Sequence, residues 1–129
     1  MAMTLEQQRA AFAFKRVQIA SRLPGEKNAT KYKKLAKGAP QMIMSSGLMP
    51  VLAFLCEKGE KESSREQLYK DVSMWLVDRG ESGNSVALKD IMLTLVRAEP
   101  EQYRMYTSEA ISILRWIRQM AAAVIQGDD

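Results

Sequence analysis

A chain of 129 residues with 19 Lys and Arg, 15 Asp and Glu, one cysteine and no histidine is one domain, residues 1–129, long enough to bury roughly two-thirds of its unfolded surface. Cys56 alone excludes an intramolecular disulfide and a cysteine-built zinc site. The missing histidine removes the commonest general base and metal ligand, and no paired carboxylates, Gly-rich phosphate loop or Ser–base pattern replaces it. These features argue against an enzyme and call for no cofactor and no metal. The net charge of +4 is uneven: residues 1–37 carry nine basic residues against two acids, and residues 38–129 carry ten against thirteen. A local basic block is the footprint of a polyanionic partner, with an anionic membrane the weaker option.

Thr4 with Gln7 is a capping-box pattern, predicting a helix over 5–22 that Pro24 and Gly25 end. The first residues mix charge into every turn, unlike a signal peptide, so the expected location is cytoplasmic. Leu5, Phe12, Ile19 and Leu23 fall together on this helix. Ala10, Ala13, Phe14, Val17 and Ala20 widen the apolar arc until it calls for two packing partners. Gln8, Lys15, Gln18 and Arg22 hold the remaining strip. Arg9 and Arg16, seven apart, lie within the apolar arc and are expected to snorkel from its edge.

Asn28 or Thr30 caps the next helix, over 29–46. Tyr32, Leu35, Ala39, Met42 and Ile43 share one face of it, and Lys31, Lys33, Lys34 and Lys37 cover the other. The apolar register persists across Gly38 and Pro40, which favours one kinked helix over a break. Four lysines with no acid among them repel one another, and an anionic partner converts that cost into attraction. Residues 38–56 form the longest apolar run and the expected centre of the core. Two glycines, two prolines, Gln41, Ser45 and Ser46 interrupt it, so it reads as buried protein and not as a membrane span. Gly47 supplies a turn, and a helix follows over 48–58 with Pro50 in its first turn. Met42, Met44 and Met49 read as core packing, and Cys56 as a small buried hydrophobe.

Ser63 with Glu66 is a second capping box, for a helix to residue 78 with Leu68, Tyr69, Val72, Trp75 and Leu76 inward. After the loop 79–85, Ser85 caps a helix to residue 97 with Leu88, Ile91, Met92 and Leu95 inward. Pro100 opens a last long helix, to about residue 126, on which Tyr103, Tyr106, Ala110, Ile113, Leu114, Ile117, Met120 and Val124 recur. Arg104, Arg115 and Arg118 lie off this stripe. Trp116 sits at its margin, where packing is the preferred reading and gripping a base or phosphate the other. With no period-two alternation and no solenoid repeat, the fold class is all-α, a single-domain bundle of about six helices joined by short loops.

Tyr32 on a basic helix, then Pro40, the Gly47-Leu48 turn with Ala53-Phe54-Leu55 after it, and then Tyr103, Thr107, Glu109-Ala110 and Trp116 stand in a characteristic order. That order resembles the small helical subunit of the Cmr complex, the RNA-guided effector of type III-B CRISPR interference, over about residues 9–125. The resemblance implies a subunit without enzymatic activity, present in several copies. Those copies stack head to tail along the guide-bound backbone, beside other Cmr subunits, and help form the channel for guide and target RNA. In such a machine base pairing reads sequence, and an accessory protein needs only shape and positive charge. No RNA-contacting motif carries over, so contacts are assigned by charge to Lys15, Arg16, Arg22, Lys31, Lys33, Lys34 and Lys37, with Arg115 and Arg118 as a second patch. The competing expectation is a protein-only assembly adapter whose basic face docks acidic neighbours. A helix-turn-helix DNA reader lacks its tight turn and base-reading side chains here.

Overall fold

Thr4 opens the first helix as the sequence predicts: its Oγ1 accepts from the Gln7 amide at 3.1 Å while its own N–H donates to Gln7 Oε1 at 2.8 Å. In the computed structural model, which describes residues 2–25, 27–57 and 63–127, six helices follow in order. They are α1 (Leu5–Ala20), α2 (Asn28–Ser46), α3 (Leu48–Leu55), α4 (Ser63–Asp78), α5 (Leu88–Arg97) and α6 (Pro100–Val124). The side chain of Ser63, the expected cap of α4, and Lys58, the expected end of α3, lie outside the described residues.

The helix ends differ from the sequence expectation for local reasons. α1 stops short of Arg22 because Ser21 Oγ turns back onto the Gln18 carbonyl at 2.6 Å and the Arg22 and Leu23 amides tighten onto Ile19 and Ala20. Asn28 does not cap α2; its amide donates to the Pro24 carbonyl at 2.6 Å and closes the preceding loop. α2 runs unbroken past Pro40 to Gly47, whose φ of 95° ends one helix and starts the next, a backbone that L side chains adopt only with strain. Ser85 is not a cap either. Tyr69 Oη donates to the Val86 carbonyl, holding that segment against α4, and α5 starts only after Ala87. Cys56 turns the chain after α3 and is half-buried.

α6 is the post of the bundle, with α2 and α1 laid along it most extensively; α4 packs on both α2 and α6, and α3 meets α5. Ala13, Ala20, Ala36, Ala39, Ala110 and Ala121 are all buried. Small side chains on facing helices let the backbones approach closely. Between them Tyr32, Leu52, Trp75, Ile113, Leu114 and Ile117 fill the core. The wide arc expected of α1 does not go inward whole: Ala13, Val17 and Ala20 do, whereas Phe14 and Ile19 stay 45% and 38% exposed. Met44 is exposed as well, and Met42 and Met49 pack only partly against the core. α4 is enclosed more completely than its stripe suggests, since Ser64, Gln67, Asp71 and Ser73 are buried with the apolar residues. Among the described residues, no helix is long and apolar enough to cross a membrane.

Candidate nucleic-acid interface

Two carboxylates receive the two arginines of α1. Asp71, at the middle of α4, accepts from Arg16 Nε of α1 at 2.6 Å, from Tyr32 Oη of α2 and from Gln67 Nε2 one turn back at 2.8 Å. The Asp71 side chain is 0% exposed and that of Arg16 14%. Burial pushes the Asp71 carboxyl up to about 6, with the Arg16 charge and the three donors restraining the rise. Burial and then the neighbouring Asp71 charge push the Tyr32 hydroxyl well above its ordinary value, so it remains a donor. Arg16, assigned to the phosphate-binding set by charge alone, is therefore drawn inward to tie α1 to α4, and its Nε is committed there.

The second carboxylate belongs to α6. Glu109 takes Arg9 of α1 by both oxygens, from Nε and Nη2 at 2.7 Å each, and the Trp75 indole N–H of α4 donates to the same carboxylate at 2.8 Å. Hydrogen bonding from Arg9 holds Glu109 below the usual carboxylate range, and Glu109 in turn raises the Arg9 guanidinium. Arg9 thus does not snorkel freely; a bidentate pair fixes it beside α6.

The remaining cations converge where α2 meets α6. Lys33 and Lys37, one turn apart on α2, line a groove of about 230 Å3 with Arg118, Gln119 and Ala122 of α6. Lys33 also donates Nζ to the Ile125 carbonyl at 3.1 Å, a cation at the negative end of the α6 dipole. Gln119 is shared with an adjoining groove of about 290 Å3, lined otherwise by Arg9, Ser112, Arg115 and Trp116. No acid lines either groove among the described residues. At 100° per residue the α2 lysines continue round the helix in the order Lys33, Lys37, Lys34, Lys31, the last two exposed. The α2 lysines of the first expected patch and Arg115 and Arg118 of the second therefore adjoin on one surface.

Two other assigned residues stand apart from it. Lys15 lines a different groove, with Phe12, Trp75, Arg79 and Glu81. Arg22 is exposed in the turn after α1. Sequence reasoning did not include Gln119 or Arg9 in the site. Nothing in local periodicity marks them, because they join it only through the α1–α6 and α2–α6 contacts.

Comparison with known proteins places the whole helical set in context. A family model described as CRISPR-associated protein (Cas_Cmr5) matches residues 5–124, from the first residue of α1 to the last of α6. Among solved structures, the X-ray crystal structure of a CRISPR-associated Cmr5 family protein from Thermus thermophilus is similar at a TM-score of 0.77 and 26% sequence identity. The match covers 97% of this chain and 100% of that one.

Proposed function

Because this chain belongs to the Cmr5 family of CRISPR-associated proteins, we propose that it serves as a non-catalytic small subunit of the type III-B Cmr effector complex in cytoplasmic antiviral defence. Copies of it stack along the guide-bound backbone beside other Cmr subunits, and the basic surface between α2 and α6 faces the guide and target RNA. The observation that carries the RNA contact is the convergence of Lys33, Lys37 and Arg118 on one groove, with Arg115 on the next and no acid between them among the described residues. Side chains from helices far apart in sequence then present one field of positive charge to a phosphate backbone. Lys34 and Lys31 extend that field around α2, and Lys15 and Arg22 are peripheral to it.

The test is binding of the full chain to a labelled single-stranded RNA from about 50 to 200 mM salt. Each phosphate neutralised contributes about 0.7 to the logarithmic salt slope, so three or four contacts give a slope of about 2 to 3. Lys34→Glu, Lys37→Glu and Arg118→Glu together are expected to flatten that slope and weaken binding while leaving the helical circular dichroism unchanged. Undiminished binding by the folded triple variant would remove this surface from consideration.

A second reading also makes the chain a protein-only adapter, but docks it through an apolar face and not through the basic face that the sequence assigned to acidic neighbours. Val77 and Met105 are 55% and 67% exposed and line a groove of about 430 Å3 with Tyr106 and Trp75. Under that reading Val77→Asp with Met105→Asp abolishes assembly with partner subunits, the charge-reversal triple variant assembles normally, and the parent chain binds no RNA.

A further inference from the structure

The two tryptophans are used differently by the fold. Trp75 is 2% exposed, packs on the Phe12 ring with centroids 5.2 Å apart and spends its indole N–H on Glu109. Trp116 only partly packs against the core, and it lines the groove that Arg9, Arg115, Ser112 and Gln119 complete. A half-buried tryptophan that shares its groove with two arginines, and that adjoins the groove of Lys37 and Arg118 through Gln119, joins an aromatic side chain to a cationic track. Arg9 enters this arrangement already fixed by its bidentate pair with Glu109, so it loses little freedom on meeting a ligand.

Resting on the RNA-facing reading above, we propose that Trp116 stacks one unpaired base of a single-stranded RNA while Lys37 and Arg118 hold phosphates of the same strand. Every base has a π-face, so stacking of this kind tolerates any sequence. In a duplex the bases are stacked on one another and present no free face. The groove therefore selects a strand, or a displaced nucleotide within one, over a continuous duplex. The arginines at its rim add cation–π and phosphate contacts.

The experiment titrates the full-length chain with three probes of equal phosphate count at low salt: a mixed-sequence single-stranded RNA, the same strand with abasic central positions, and an RNA duplex. Fluorescence anisotropy reads binding, and the tryptophan emission of the parent less that of Trp116→Phe, in which Trp75 alone remains, reads the environment of Trp116. The expected result is binding of the intact strand about tenfold tighter than the abasic strand or the duplex, with emission quenched by the intact strand alone. Trp116→Phe keeps most of that preference. Trp116→Ala, checked for its melt by circular dichroism, loses it while still binding the abasic strand in a salt-dependent way. Equal affinity for intact and abasic strands, with no quenching, overturns the stacking role and leaves the phosphate-facing reading in place. Absence of binding to every probe overturns both.

Discussion

Arg9 and Arg16 stand seven residues apart on α1, and each is received by a carboxylate from another helix. Arg9 meets Glu109 at a site where the two side chains keep 21% and 27% of their exposure. Water remains at hand there, two parallel hydrogen bonds favour the charged form, and the carboxyl is held below its usual range. Arg16 meets Asp71 in the interior through one nitrogen, with Tyr32 and Gln67 supplying the remaining donors. Burial outweighs them and the carboxyl rises to about 6. Two pairs of the same chemical kind therefore have opposite signs of coupling to protons, and the depth of the carboxylate decides which. Both tie an arginine of α1 to another helix, but to different effect: Arg16 is drawn away from the surface, whereas Arg9 stays at the groove it lines with Arg115 and Trp116.

The most severe way to break this comparison is Asp71→Ala. It leaves Arg16 without its counter-charge and the Tyr32 hydroxyl and Gln67 amide without their acceptor, and it is expected to cost about 3–5 kcal/mol in a urea melt. A loss below about 1 kcal/mol would show that the buried node carries no structural weight. Gly80→Ala comes next, because it acts on the support of the Glu109 node. Gly80 has φ 77°, and a Cβ there would lie 2.4 Å from the Phe12 ring, which packs on the Trp75 that donates to Glu109. The expected cost is about 2–4 kcal/mol; a melt within error of the parent would mean that the turn relaxes without moving Phe12.

Glu109→Gln is milder, about 1–2 kcal/mol after allowance for the water around the pair. Comparing it with Asp71→Ala at pH 7 measures depth directly, and equal losses would contradict the contrast. Acid titration separates the two nodes by sign. Asp71 binds its proton more tightly folded, near 6, than at its ordinary 3.8. Its contribution to stability thus falls as pH rises from about 4 to about 6 and is level above. Glu109 is lowered from 4.5, so its contribution is present above that value and is lost as pH falls through the folded-state value. Urea midpoints between pH 3.5 and 7 are expected to lose the first dependence in Asp71→Asn and the second in Glu109→Gln. Persistence of either in its own variant would assign it to another group. Smallest of all for stability are Lys34→Glu and Lys37→Glu, each within about 0.5 kcal/mol, since both lysines are exposed on α2.

Much of the architecture was legible in the residues. The capping pair Thr4 and Gln7, the helix break at Gly47, Pro100 at the start of α6, and the inward stripe of α4 from Leu68 to Leu76 are local patterns, and each is present. Arg16 shows where reading stopped: at helical spacing it looks like a snorkelling cation, and only the position of Asp71, 55 residues on, turns it inward. Phe14 and Ile19 failed for a related reason. Hydropathy measures how apolar an arc is, whereas the alanine edge of α1 decides how closely α6 can approach and hence which part of the arc is covered.

Charge followed the same division. That the first 37 residues carry the basic excess is a property of composition, and the lysine face of α2 follows from its 3.6-residue period. The union of that face with Arg118 and Arg115 does not, because the period of one helix holds no information about its rotation against another. The sequence by itself determined six amphipathic helices, a buried apolar face, though not a wholly buried run, within residues 38–56 and an outward row of lysines, all through interactions within a few residues along the chain. Only the tertiary structure decided that Arg16 is withdrawn to Asp71 and that Arg9, held by Glu109, lines a groove beside Arg115, because both outcomes rest on contacts between residues 55 and 100 positions apart.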